Sequence, residues 1–150
     1  MASKRFVPTR RPQPVPGARI LGLEIDDDFQ VAKRISHGFS TTTVGRLAKE
    51  LNVTDSRILK LTSIPESTYH SRKRNRRPLS MEESSRVYRI AKTAAAAEAY
   101  FEGNKAAARR WLTNPKAALG GETPLEFART PEGSDYVVKL LERMEHGIIS

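Results

Sequence analysis

A dense cluster of basic side chains lies between residues 57 and 77 of this chain. The segment holds seven lysines and arginines and one acid, a local charge of +6. Serine, threonine and arginine near the start of a recognition helix can reach DNA base edges, and lysine and arginine neutralise phosphates. A solvated basic loop is the less specific interpretation. We expect DNA contact from Ser67, Thr68, Tyr69, His70, Arg72, Lys73, Arg74, Arg76 and Arg77.

Candidate catalytic and metal-ligating groups are sparse. None of the three histidines, His37, His70 and His146, has a second histidine at ligand spacing. No pair of carboxylates suggests general acid–base chemistry, and Gly120-Gly121 lacks the lysine and the helix that follow a phosphate-binding glycine loop. The acidic run 26–28 fits a helix N-cap better than a cation site. We therefore expect no catalytic residue, no metal and no cofactor, so the chain is not predicted to be an enzyme.

The composition removes further classes of protein. The 150 residues carry a net charge of +9 and no cysteine, which excludes a disulfide framework and a thiolate metal site. The longest apolar run, residues 94–97, is far shorter than the roughly 20 residues that cross a bilayer. The basic start of the chain is not followed by the apolar stretch of a secretory signal. We expect a cytoplasmic protein with a polyanionic partner.

The elements that must position the basic cluster follow from helix-capping signals. Residues 1–20 hold five basic residues, four prolines and no acid, and this composition predicts a disordered arm that is either a solvated tail or a contact for phosphates. From residue 24 onward apolar residues recur at helical spacing, and no alternation is long enough for a sheet. The predicted fold class is all-α.

Individual helices can be located from their first residues. Asp26–Asp28 opens a helix that carries Phe29, Val31, Ala32 and Ile35 and stops at Gly38. The capping box that runs from Ser80 to Glu83 opens the longest helix, near residues 81–102. Further predicted N-caps are Thr54, Asn104, Thr123 and Thr130.

A helix-turn-helix unit contains the basic cluster. A short helix over 55–61, a tight turn and a second helix that begins at Pro65 have the required lengths, and a helix over 44–51 supports them. We divide the chain into the arm (1–20), a helix-turn-helix domain (21–79), and the long helix with a C-terminal domain (80–150).

The C-terminal stretch differs in charge from the rest of the chain. Residues 122–150 carry a net charge of −3, which suits a protein partner with a basic surface. We expect the apolar side chains of Trp111, Leu119, Leu125 and Phe127 to be core residues.

The same stretch resembles a known family. The patterns W-L-x-x-P, A-L-G-G-x-T-P and G-x-x-x-V-x-x-L-L-x-R-M-x-H-G, which begin at Trp111, Ala118 and Gly133, resemble the Xre/MbcA/ParS antitoxins, and the match covers roughly residues 40–150. The resemblance implies a bacterial type II toxin–antitoxin system whose toxin has a RES domain, resembles ADP-ribosyltransferases and consumes NAD⁺. The antitoxin's C-terminal domain would cover the NAD-binding cleft, and its N-terminal domain would bind its own promoter as a homodimer.

A cleft that binds the phosphates of NAD⁺ should carry arginine or lysine, with which an acidic terminal helix can form charge-assisted pairs. The residues that we expect to contact the toxin are Glu142, Arg143, Glu145, His146, Ile148, Ile149 and Ser150. For the two isoleucines, simple fraying of the chain end is an equal alternative.

Two other functions fit the same sequence. A stand-alone helix-turn-helix transcription regulator would sense a ligand in a pocket of its C-terminal half. A histone-like architectural protein would bind operator and random DNA with equal affinity.

Overall fold

The computed structural model describes residues 14–147. This part of the chain is all-α, as predicted, and contains no strand. Its helices, in chain order, are α1 (Pro16–Ile20), α2 (Asp28–His37), α3 (Thr42–Leu51), α4 (Asp55–Leu61), α5 (Glu66–Arg74), α6 (Met81–Tyr100), α7 (Lys105–Thr113), a single 3₁₀ turn (Ala117–Leu119), α8 (Pro124–Phe127) and α9 (Pro131–Glu145). None of these helices is long and apolar enough to cross a membrane.

Side-chain caps begin most of the helices. Thr54, Asn104, Thr123 and Thr130 each accept a hydrogen bond from the backbone N–H three residues ahead, so these four predicted caps are confirmed. The predicted capping box is also present, because Ser80 accepts from the Glu83 amide while the Glu83 carboxylate accepts from the Ser80 amide.

Helix α6 is the central packing element. It contacts α1, α2, α3, α7 and α9, and its alanines let these helices approach closely. Thr93 lies fully buried in the middle of α6, and its hydroxyl lies 2.8 Å from the hydroxyl of Ser134 on α9. This buried pair satisfies two polar groups that would otherwise be costly to remove from water.

The predicted arm is too long at its C-terminal end. Residues 16–20 form α1, in which Ala18 and Ile20 are buried, and the Val15 amide donates to the Ile25 carbonyl oxygen at 2.7 Å. The prediction of disorder up to residue 20 is therefore wrong for this part, because the prolines of the segment include one that is suited to the first position of a helix. Residues 1–13 of the predicted arm lie outside the described residues.

Smaller differences concern single positions. Phe29, predicted on the apolar side of α2, is 73% exposed, whereas Val31 is buried. Pro65 precedes α5 as its N-cap, and α6 ends at Tyr100, about one half-turn earlier than predicted. Gly38 ends α2 as predicted, with φ of 90°, and a Cβ there would overlap the Leu79 carbonyl oxygen.

Candidate nucleic-acid interface and partner-binding surface

Helix α5 is held in place by one buried side chain. Tyr69 is the only buried residue of its nine, and it is 2% exposed. Burial raises the pKa of the Tyr69 phenol, and the Asp55 carboxylate at the start of α4 raises it further through its charge and a hydrogen bond. The prediction that Tyr69 contacts DNA is therefore wrong for its side chain, which anchors α5 to α4.

The outer side of α5 faces a polar groove of about 720 Å³. Three of the predicted DNA-contacting residues on α5, Ser67, Thr68 and Arg72, line this groove, and so does Arg77, which follows α5. Ser71 and Asn75, which sequence reasoning did not select, complete the lining. Their i, i+4 spacing on one helix face is the signal that could have identified them.

Arg72 differs from its basic neighbours because it is tied to the protein. Its Nε lies 3.0 Å from a Glu83 carboxylate oxygen, and its Nη1 donates to the Pro78 carbonyl oxygen at 3.4 Å. Glu83 is buried at the start of α6, so this ion pair fixes the end of α5 relative to the long helix. The basic residues that follow Arg72 are all exposed: Lys73, Arg74, Arg76 and Arg77. His70 is also exposed, beside the Tyr69 ring.

The second candidate surface is formed by α8 and α9. Tyr136 is 42% exposed on α9, and its ring lies 5.5 Å from that of Phe127 on α8. The Arg143 guanidinium lies 5.5 Å from the same tyrosine ring, a cation–π distance. We call Phe127, Tyr136 and Arg143 the aromatic patch.

Two open grooves meet at the aromatic patch. One, of about 590 Å³, lies between the α4–α5 turn and the α8–α9 corner and carries the carboxylates of Glu122, Glu126 and Glu132. The other, of about 360 Å³, follows α9 toward His146. Tyr136 lines both grooves, and their linings together hold the acids Glu122, Glu126, Glu132 and Glu142 and the bases Arg129, Lys139 and Arg143.

The structure brings together part of the residue set predicted for toxin contact. Glu142, Arg143 and His146 line the smaller groove. Glu145 is exposed but is not part of the groove lining. Ile148, Ile149 and Ser150 lie outside the described residues. Sequence reasoning missed Tyr136 altogether.

Among the residues predicted as core, Trp111, Leu119 and Leu125 are buried, but Phe127 is only half-buried. The α9 spacing of Tyr136, Lys139 and Arg143 on one polar face could have indicated the patch.

Direct contacts join the helix-turn-helix part of the chain to its C-terminal part. Arg57 on α4 pairs with Glu126 on α8 at 2.7 Å, and the Arg109 Nε on α7 donates to the Glu50 carbonyl oxygen at 2.7 Å. No group of three or more histidines and acids within residues 14–147 is arranged to hold a metal ion.

Comparisons with known proteins agree with this two-part layout. A sequence model described as "Antitoxin Xre-like helix-turn-helix domain" matches residues 30–92, and one described as "Antitoxin Xre/MbcA/ParS C-terminal toxin-binding domain" matches residues 96–147. The chain is 34% identical to a protein named Antitoxin Xre from Pseudomonas putida. The alignment spans 124 residues and covers 83% of this chain and 76% of the relative. The chain belongs to the Xre antitoxin family.

Two further relatives extend the comparison. A Yersinia enterocolitica protein named Antitoxin Xre is 29% identical over 88% of this chain and 89% of its own length. A Sphingobium protein named Prs ADP-ribosylating antitoxin is 26% identical over 75% of this chain and 76% of its own length. This type II antitoxin therefore has a helix-turn-helix domain, which includes α5, and a toxin-binding domain, which includes the aromatic patch.

Proposed function

We propose that the antitoxin neutralises a RES-domain toxin that consumes NAD⁺ by covering the toxin's active-site cleft, and that it represses its own operon by binding promoter DNA as a homodimer. The observation that carries the first part is the aromatic patch, which adjoins grooves lined by exposed carboxylates and lies in the region matched to a toxin-binding domain. The name of the Sphingobium relative refers to ADP-ribosylation and supports a partner with related chemistry.

In this proposal, the antitoxin inhibits by competing with NAD⁺ for the cationic side chains of the toxin's cleft. A cleft that binds the phosphates of NAD⁺ presents cationic side chains, and carboxylates held against them form strong charge-assisted hydrogen bonds. Glu142 lines the smaller groove, and Glu122 and Glu132, which are both exposed, line the larger one. Tyr136, between the grooves, supplies apolar area of the kind that dominates interface energetics. The substrate and the antitoxin would then compete for the same cations.

Co-expression with a RES toxin from the same operon tests the inhibition. We expect Tyr136→Ala combined with Glu142→Lys to lower cellular NAD⁺, whereas the wild-type antitoxin protects it. Asp135→Ala is the matched control, because Asp135 is exposed on α9 and lines neither groove. Full NAD⁺ protection by the double variant, at equal protein level, would rule out the patch as the inhibitory surface.

Autoregulation rests on the exposure and charge of α5. A nine-residue helix with one buried side chain leaves its remaining faces free for a partner, and four exposed cations follow one another at its end. We expect the antitoxin to bind its promoter fragment more tightly than random DNA of equal length at the same salt concentration. Ser67→Ala with Thr68→Ala should reduce this ratio more than it reduces binding to random DNA. Equal affinity for both DNAs would instead favour the architectural alternative.

A stand-alone regulator with a ligand-sensing C-terminal half is the weaker candidate. It requires a ligand-sized pocket in that half, and the two C-terminal grooves described above are open to solvent and bordered by charges. The match of residues 96–147 to a toxin-binding domain also favours the neutralising function.

A further inference from the structure

An apolar groove that neither surface uses lies between α1, α2 and α6. Its volume is about 540 Å³. Its apolar lining includes Val15, Val31, Ile35, Tyr88, Ala96 and Ala99. Of these, Ala99 is exposed and Ile35, Tyr88 and Ala96 are half-buried, so the groove presents apolar area to solvent.

A large apolar side chain projects beside this groove. Phe29, 73% exposed, directly follows Asp28, which lines the groove, and Val31 and Ala32 of the same helix line it as well. An exposed phenylalanine next to an open apolar groove places a protruding group and a cavity on one surface. In a two-fold interface each copy offers the same patch, so the protruding group of one copy can enter the groove of the other.

The charges at the groove are also self-complementary. Asp28 and Lys92 both line it and both are exposed, and neither forms an ion pair within residues 14–147. In a two-fold arrangement, Asp28 of each copy can face Lys92 of the other, so that two equivalent pairs form. A surface with one charge of each sign beside an apolar centre therefore fits a second copy of itself.

The preceding segment of this chain fits the groove less well. Residues 1–13 precede the groove-lining Val15 in the chain, and they carry Lys4, Arg5, Arg10 and Arg11 without any acid. Seating them there would bring like charges to Lys92 and would leave Phe29 uncovered.

We propose that a second copy of this chain docks on the α1–α2–α6 groove, with Phe29 of each copy inserted into the groove of the other and Asp28 paired with the opposite Lys92. This inference rests on the homodimer of the proposed function and assigns its interface. In the proposed function, operator binding uses two copies of α5, whereas toxin neutralisation uses the aromatic patch, which shares no residue with this groove, so the two activities should respond differently to loss of this contact.

Sedimentation equilibrium on the full chain tests the apolar contact. We expect the wild type to be dimeric and Phe29→Ala to raise the dimer dissociation constant by about tenfold or more, since an aromatic anchor at the centre of an interface contributes strongly. Met81→Ala is the matched control, because Met81 is 57% exposed on α6 and does not line the groove. Because both side chains are exposed, neither substitution should alter the circular dichroism spectrum.

A charge-swap mixture tests the pairing between copies. Asp28→Lys and Lys92→Glu each place like charges opposite one another in their own homodimers, and each should weaken self-association. In an equimolar mixture, the heterodimer regains two attractive pairs, so we expect dimers to form at a concentration at which each variant alone is monomeric. An effect confined to one chain could not produce this rescue by mixing.

The outcomes separate the interface from the wider function. If Phe29→Ala dimerised with the same dissociation constant as the wild type, or if mixing the charge variants restored no dimer, the α1–α2–α6 groove would not be the dimer interface. Neither result would contradict neutralisation or homodimerisation itself. A monomeric wild type that still protects NAD⁺ would overturn the homodimer together with this interface. Weaker dimers of Phe29→Ala, with NAD⁺ protection retained and operator affinity reduced, would support the proposal.

Discussion

Helices α5 and α9 each present a binding surface, but they are built in opposite ways. Helix α5 buries one tyrosine and exposes a run of cations, whereas α9 buries Gly133, Ser134, Val137, Leu140 and Leu141 and exposes the aromatic patch. The first surface depends on charge, on one buried side chain and on the Arg72–Glu83 ion pair, and the second depends on the position of a whole packed helix. Substitutions on the outside of α5 should therefore change binding alone, while substitutions under α9 should change stability first.

The largest effect is expected at the corner between α8 and α9. Gly133 packs so closely against the Phe127 carbonyl that a Cβ would overlap its oxygen. We expect Gly133→Ala to lower the free energy of unfolding by about 3 kcal/mol or more, because backbone atoms on both sides must move. Urea denaturation measures this change.

Gly45 provides the matched control for that experiment. It is also helical, and a Cβ there would meet only the Asp55 carboxylate, at 4.0 Å. Gly45→Ala should leave stability unchanged or raise it by about 0.5–1 kcal/mol. Similar losses at both glycines would contradict the idea that the corner is sterically fixed.

The next largest effect is expected on DNA binding, and it tests whether the cations at the end of α5 contact phosphates. Replacing Arg74, Arg76 and Arg77 with glutamine should lower DNA affinity and reduce the slope of log affinity against log salt by up to about 2.7, or about 0.9 per lost phosphate contact. Because these side chains are exposed, stability should change by less than about 0.5 kcal/mol. Fluorescence anisotropy across a salt series gives the slope.

Lys139→Gln on α9 removes a charge of the same sign from the other surface. It should leave the slope unchanged. If the triple variant kept the wild-type slope, the arginines at the end of α5 would not contact phosphates.

A smaller effect is expected from the anchor of α5. Tyr69→Phe keeps the buried ring but removes its hydroxyl group, so we expect a loss of about 1 kcal/mol in the free energy of unfolding. The raised pKa of Tyr69 also has a consequence at alkaline pH. The unfolded tyrosine ionises near pH 10 while the folded one stays protonated, so stability should fall as the pH rises above about 10.

Chemical denaturation between pH 8 and 11 measures that fall, which should be smaller in Tyr69→Phe. The pKa of Tyr88 is also raised, by burial and then by the charge of Asp28, so Tyr69→Phe with Tyr88→Phe should flatten the dependence further. An alkaline slope in Tyr69→Phe equal to that of the wild type would contradict the assigned cause.

The smallest effect is expected from the ion pair between the two surfaces. Arg57 and Glu126 lie 2.7 Å apart, but their side chains are 42% and 36% exposed, so solvent screens the pair. A double-mutant cycle with alanine should give a coupling energy of about 0.2–1 kcal/mol that decreases with added salt. A coupling energy of zero at low salt would show that this contact does not link α4 to α8.

Local signals made much of this fold predictable. A cap joins a side chain to an amide three residues away, so Thr54, Ser80, Asn104, Thr123 and Thr130 could be identified without knowledge of distant contacts. The end of the arm could not be located in this way, because α1 is stabilised by burial against α6, some seventy residues later. The proline-rich basic composition of the segment predicted disorder and gave no indication of the contact between α1 and α6.

In the candidate sites, too, local features could be predicted and contacts between elements could not. The position of the basic cluster on α5 follows from its sequence, but the burial of Tyr69 depends on α4, across the turn. The aromatic patch is assembled from two helices across the Gly133 corner, so neither helix alone reveals it. Side chains that act through another element are the ones that sequence reasoning misplaced.

The hydroxyl pair of Thr93 and Ser134 has a consequence for exchanging parts between relatives. Thr93 lies in the short interval between the two family matches, within the unbroken helix α6. A chimera joined at this interval would combine half of α6 from one parent with α9 from another, and the two hydroxyls must still meet in a buried position. A junction placed before Thr93 takes both hydroxyls from one parent, so we expect chimeras that exchange DNA and toxin specificity to be more stable when Thr93 and α9 come from the same relative.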